Sequence, residues 1–149
     1  KVVSVAFPSS VKYVVDDFKY CMELQTVTFP ENSRLRFFSA MEGCPKLTEF
    51  VFPASLQVLY GNSMMYLDGL KTIDIPGSVS YIGAYTFVKG SLTAHWICPP
   101  KMLPNDVFIT KSNPRIRVPV GAKKYYEASD AWNKFEIVED ETVEAFVKV

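Results

Sequence analysis

One histidine, three cysteines and seven glycines stand among the 149 residues, and each scarcity removes a class of chemistry. A single histidine, His95, leaves no material for a histidine-rich metal site or a nucleophilic triad. Two cysteines near each other without further ligands do not make a zinc site. The glycines are scattered and none forms G-x-G, so no phosphate-cradling loop is present. Charge of one sign is not in excess: 16 basic residues balance 16 acidic ones, against the basic excess that nucleic-acid binding wants. No apolar run reaches about 18 residues, so no membrane-spanning helix is expected. No signal peptide is visible in the chain either. The chain opens at Lys1 already inside a repeat and reads as a fragment or mature form, so that lack says nothing about secretion.

What the chain has is a period. Prolines at 8, 30, 53, 76 and 99 end short apolar runs that read VVSVAFP, LQTVTFP, LTEFVFP, LKTIDIP and LTAHWICP, and a sixth run, RIRVP, ends at Pro119. The first five lie 22 or 23 residues apart, inside the roughly 20–29 residues of leucine-rich repeats. Within each run apolar residues alternate, the pattern of a half-buried strand, and proline stops it for want of an N–H. A second short extended piece follows each proline. One such unit cannot bury its apolar side alone; stacked units share a core and pair their strands in parallel, about 4.8 Å apart. The expected fold is a leucine-rich-repeat solenoid, a mainly β, right-handed coil with short parallel strands. Coils begin near residues 2, 24, 47, 70 and 92. The fifth, with three prolines in six residues and then Val107 and Phe108, is expected to be looser.

The end departs from the period. Residues 116–138 read as a terminal cap: a strand end at Val118, a short helix over 122–129, and Tyr126, Trp132 and Phe135 folded back over the last coil. Residues 1–138 form one domain on this reading. Residues 139–149, acidic and then apolar, are a tail, a strand or the start of a further segment.

The motif L-x-x-I-x-I-P-x-S-V-x-x-I-G-x-x-x-F, complete over residues 70–87, resembles the BspA-like leucine-rich repeat. The ending V-P-x-G-x(4)-Y-x(3)-D-x-W, at Val118, Pro119, Gly121, Tyr126, Asp130 and Trp132, is similar to the terminal cap of such proteins in Bacteroides-type bacteria. The second and third coils lack the Ile-Gly step. The resemblance implies a secreted or cell-surface bacterial protein that binds other proteins, host or extracellular-matrix surfaces among them. It brings no catalytic residue, cofactor or metal.

The chemistry-bearing residues have plain readings. Cys21 and Cys44 occupy the place that Leu67 holds before Leu70, so the slot is apolar; a disulfide between adjacent coils is the alternative. Aligned on Pro99, Cys98 falls level with Ile75, inward, and His95 level with Thr72, outward. Asp16-Asp17 and residues 139–141 lack the spacing of a calcium loop and read as solvated turns.

Function then falls to outward rows. One row on the main sheet is Ser4, Thr26, Glu49, Thr72, His95 and Arg115; its neighbour is Ala6, Thr28, Val51, Asp74, Ile97 and Arg117. A third, after the prolines, is Tyr13, Phe37, Val58 and Tyr81, an apolar stripe suited to a partner, a homodimer or a neighbouring domain. The expected function is non-catalytic protein binding or adhesion, with a glycan-binding accessory module as the alternative.

Overall fold

The computed structural model describes residues 1–84, 86, 91–100 and 114–147. The expected Phe87, Val107 and Phe108 of the fourth and fifth coils lie outside them. Among the described residues eleven strands and one helix follow in order: β1 (Ser4–Ala6), β2 (Tyr13–Val15), β3 (Thr26–Thr28), β4 (Phe37–Ser39), β5 (Glu49–Phe50), β6 (Val58–Leu59), β7 (Thr72–Ile75), β8 (Tyr81–Ile82), β9 (Ser91–Ala94), β10 (Arg115–Val118), α1 (Lys123–Glu127) and β11 (Glu136–Glu139). All the strand pairs are parallel, as a solenoid requires.

The proline turn recurs from coil to coil. The N–H of Val11, Ser33, Leu56 and Val79 donates to the carbonyl of Pro8, Pro30, Pro53 and Pro76, at 2.9–3.3 Å. In the first four coils proline follows the first strand, and its carbonyl starts the bend into the second. A second turn recurs where the coil closes. Leu24, Leu47 and Leu70 donate to Cys21, Cys44 and Leu67, each at 3.1 Å. The cysteines therefore hold the slot of a leucine. Both are free thiols, and Cys44 is buried. Burial pushes the Cys44 thiol above its ordinary pKa, and the Sγ donates to the Phe18 carbonyl at 3.0 Å.

Second strands form one continuous sheet, β2-β4-β6-β8. First strands do not: they form β1-β3-β5 and β7-β9-β10-β11, and among the described residues no pairing joins β5 to β7. The core lies between the two faces, where Val14, Phe38, Leu59 and Ile82 meet Val27, Ile73, Leu92 and Ile116. Coils three and four touch backbone to backbone at a corner. A Cβ on Gly83 would run into the Gly61 backbone, which accounts for the Ile-Gly step of the fourth coil.

The fifth coil is in a different register from the one expected. Thr72 pairs with Ser91, Ile73 with Leu92, Asp74 with Thr93 and Ile75 with Ala94. His95 and Ile97 are therefore not members of the two outward rows; Ser91 and Thr93 take their places. Cys98 is exposed, where an inward position was expected. The alignment on Pro99 failed because the strand ends four residues earlier, with His95 at the proline place. Ile116 pairs with Leu92 and Arg117 with Thr93, so both arginines stand where the rows put them.

The cap holds the expected parts. Helix α1 spans five residues, Tyr126 and Trp132 are fully buried, and Phe135 packs at their side. β11 extends the sheet beyond β10 by four pairs, Arg115–Glu136 to Val118–Glu139.

Candidate binding surface

The outward rows of the first face are real columns in the N-terminal half. Ser4 pairs with Thr26 and Thr26 with Glu49, while Ala6 pairs with Thr28. Ser4, Glu49, Thr72, Ala6, Thr28, Val51 and Asp74 are all exposed. Val51 is 71% exposed. Parallel pairing holds such side chains about 4.8 Å apart, so each coil adds one side chain per row.

The C-terminal half of this face is covered. Thr93 points outward by register yet is buried, as is Val143 beyond β11. After β11 the chain turns at Asp140 and doubles back as a strap over residues 140–147. Arg117 grips the turn: its Nη2 and Nε donate to Asp140 Oδ2 at 2.6 and 2.8 Å, and Nη2 reaches Thr142 Oγ1 at 3.1 Å. His95 grips the middle. Its two ring nitrogens face two acceptors, the Asp74 carboxylate and the Glu144 carbonyl, both at 2.7 Å. The Phe146 N–H then donates to the His95 carbonyl at 2.8 Å. Phe146 lies over Gly77, where any Cβ would collide with it. Arg117, Asp74 and His95 are thus fastenings of the strap, and the freely presented part of the rows is Ser4, Ala6, Thr28, Glu49, Val51 and Thr72, with Thr26 half-buried among them. Arg115 pairs with Glu136 at 3.1 Å across the strand edge.

Asp140 makes the strap sensitive to acid. Hydrogen bonds from the Thr142 hydroxyl and N–H, with the Arg117 guanidinium beside them, hold its carboxyl at about 2, below the ordinary 3.8. A value depressed in the fold means that the contribution is complete above the ordinary value and is lost as pH falls toward the folded one. The strap amides, Thr142 and Phe146 first, are therefore expected to keep their protection from neutral pH to about 4 and to lose it between about 4 and 2. Asp140→Asn should loosen them already at neutral pH and flatten that acid profile in amide exchange. An unchanged profile in the variant would assign the acid transition elsewhere.

The second face carries the ring row. Tyr13 pairs with Phe37, Phe37 with Val58 and Val58 with Tyr81. Tyr13 is 66% exposed, whereas Phe37 and Tyr81 are partly covered. Tyr60 leans on Phe37, ring centroids 5.6 Å apart, and widens the stripe. Two open grooves flank the outward face. One, of about 650 Å³, runs beside β3 and β5 past Phe29, Phe50 and Phe52. The other, of about 290 Å³, lies in the break between β5 and β7, where Phe146 sits.

The buried polar side chains among the described residues are four hydroxyls, on Ser39, Ser63, Thr86 and Thr93. No described helix is long and apolar enough to cross a membrane.

A search of the curated proteins finds no match to the chain. A family model, the BspA type leucine rich repeat region, matches residues 1–113 in six copies, which leaves the cap and the strap outside the match. Repeat period, parallel coils and family match agree: the chain belongs to the BspA type leucine-rich-repeat family.

Proposed function

We propose that this chain is a non-catalytic adhesion and protein-binding module of a secreted or cell-surface bacterial protein. The observation that carries this reading is the paired column Ser4, Thr26 and Glu49, exposed but for the half-buried Thr26 and followed in the fourth coil by exposed Thr72, set over an interior of apolar side chains. Solenoids of this kind recognise partners along extended surfaces to which every repeat contributes. The family match supports a protein-interaction role. The main-sheet column is polar and gives a salt-sensitive contact. The Tyr13–Phe37–Tyr81 stripe gives a drier one, because aromatic side chains anchor interfaces; a second copy of the chain is one candidate to cover it.

The test takes the partner that an extracellular-protein array yields, with a glycan array run beside it. Asp74 also holds the strap, so the polar column is probed by Glu49→Lys with Thr72→Lys, and the ring row by Tyr13→Ser with Tyr81→Ser. One pair is expected to weaken binding about tenfold or more, the loss of a hot-spot contact. If both pairs stay folded and bind as the parent does, the outward-row model fails.

A further inference from the structure

Another open groove lies on the other side of the proline turns, between them and the sheet β2-β4-β6-β8, and it differs in chemistry from the surfaces above. About 750 Å³ in volume, it carries Lys12, Arg34 and Arg36 at one end and Ser33, Gln57 and Ser80 along its wall. Among the described residues no acidic one lines it. All three cations are exposed, and none takes part in an ion pair among the described residues. The solenoid builds this arrangement. Arg36 N–H donates to the Lys12 carbonyl, Gln57 to Arg36 and Ser80 to Gln57, each at 2.9 Å, so these four residues climb the stack one coil at a time.

Opposite them stand the serines of the proline turns. Ser55 and Ser78 hold the same place in consecutive coils, two residues after Pro53 and Pro76. Both line the groove, and in both the hydroxyl oxygen is out of solvent without a hydrogen-bond partner. A polar atom left so asks for an explanation. One is a ligand that, with a change of serine rotamer, supplies the missing partner.

We propose that this groove binds a sulfated saccharide chain, running along the stack with its anionic groups at Lys12, Arg34 and Arg36 and its hydroxyls along Ser55, Gln57, Ser78 and Ser80. The cations call for an anion, since charge-assisted bonds from guanidinium to a planar or tetrahedral oxyanion are the strong ones. The wall calls for a sugar, since it offers hydroxyls and an amide in a row. A peptide fits less well: the flanking strands pair continuously with one another, so within this sheet no open edge faces the groove to take up an extended backbone. The site is separate from the outward rows of the first face, so the protein-binding reading stands or falls without it.

The test uses the full chain, a heparin-derived hexasaccharide, its desulfated counterpart and an oligo-aspartate peptide of equal charge, by calorimetry at low and moderate salt. The sulfated hexasaccharide is expected to bind, more weakly as salt rises. Arg34→Ser with Arg36→Ser should weaken it about tenfold or more, and Ser55→Ala with Ser78→Ala a few-fold at unchanged charge. Lys71→Ser with Lys123→Ser, the same charge change made elsewhere, should leave it as it was. Equal loss in that control would reduce the effect to net charge and overturn the site. So would equal binding of oligo-aspartate or of the desulfated sugar, or no binding at low salt by a folded protein. All four arginine and serine positions are on turns or outside the core, and a circular dichroism melt confirms each fold.

Discussion

Ile75→Asp is expected to unfold the solenoid, or to remove several kcal/mol of its stability, while Thr72→Asp three residues away changes it by about 0.5 kcal/mol or less. Both residues lie on β7, and both pair with β9. Ile75 is fully buried between the two faces, and Thr72 is exposed in the outward column. A carboxylate at 75 would lie within the apolar core, beside its cross-strand partner Ala94. Leaving a charge there unpaired costs several kcal/mol, out of a total stability of about 5–15 kcal/mol for a domain. At 72 the same carboxylate stays in water. Urea unfolding of the two variants separates the cases: similar midpoints would mean that β7 presents the wrong face inward.

This contrast could be drawn from the chain itself, because the strand period of two leaves no freedom once one residue of a coil is placed. Val27, Phe50 and Ile73 alternate with Thr26, Glu49 and Thr72, and the structure keeps every one of those assignments. The fifth coil broke the rule for a local reason. Its strand Ser91–Ala94 is followed by His95, not proline, and the next prolines belong to a later bend. An alignment hung on proline had no way to see that. The strap was less legible still. Its holds on the sheet include the Glu144 carbonyl and the Phe146 N–H, groups that every residue type has. Two traces were nevertheless there: an apolar end, Val143 to Val147, after an acidic run, and Gly77 at a turn position that other coils fill with Ser9, Glu31 and Ala54. The basic groove was hidden for another reason. Lys12, Arg34 and Arg36 are 22 to 24 residues apart or close neighbours, and only the stacking of coils gathers them with serines from three turns.

The strap and the groove also change how the outward rows are to be read. A row is available for recognition only where nothing of the chain lies over it. Thr93 and Arg117 belong to a column by register, but the strap has taken that half of the face. The proposed partner surface therefore narrows to coils one to four, all of which lie within the family match. On that proposal the cap and the strap close the stack and take no part in the surface.

Trp132→Ala is expected to be the most damaging truncation in the cap, at about 3–5 kcal/mol, the usual range for removing a buried tryptophan. Trp132 is fully buried and joins the cap to the last coils. Its ring stands 5.4 Å from Tyr126 and 6.1 Å from Trp96, and its Nε1 donates to the Pro100 carbonyl at 3.3 Å. Trp96 in turn donates to the Val79 carbonyl at 2.8 Å, so the chain of contacts reaches the fourth coil. Tyr126 shares the site: its hydroxyl donates to the Trp96 carbonyl, and burial holds its pKa well above the ordinary phenol value. Alanine at 132 would leave a cavity and deprive the Pro100 carbonyl of its donor. Tyr125→Ala, on the exposed side of the same helix, is the control, with an expected cost within about 0.5 kcal/mol. The Trp132 variant should also open its last coil to solvent and aggregate on warming, because a solenoid end without a cover exposes its core. Melting with light scattering reads both effects. A Trp132→Ala protein that melts with the Tyr125→Ala control and stays monomeric would show that the coils hold without their cap.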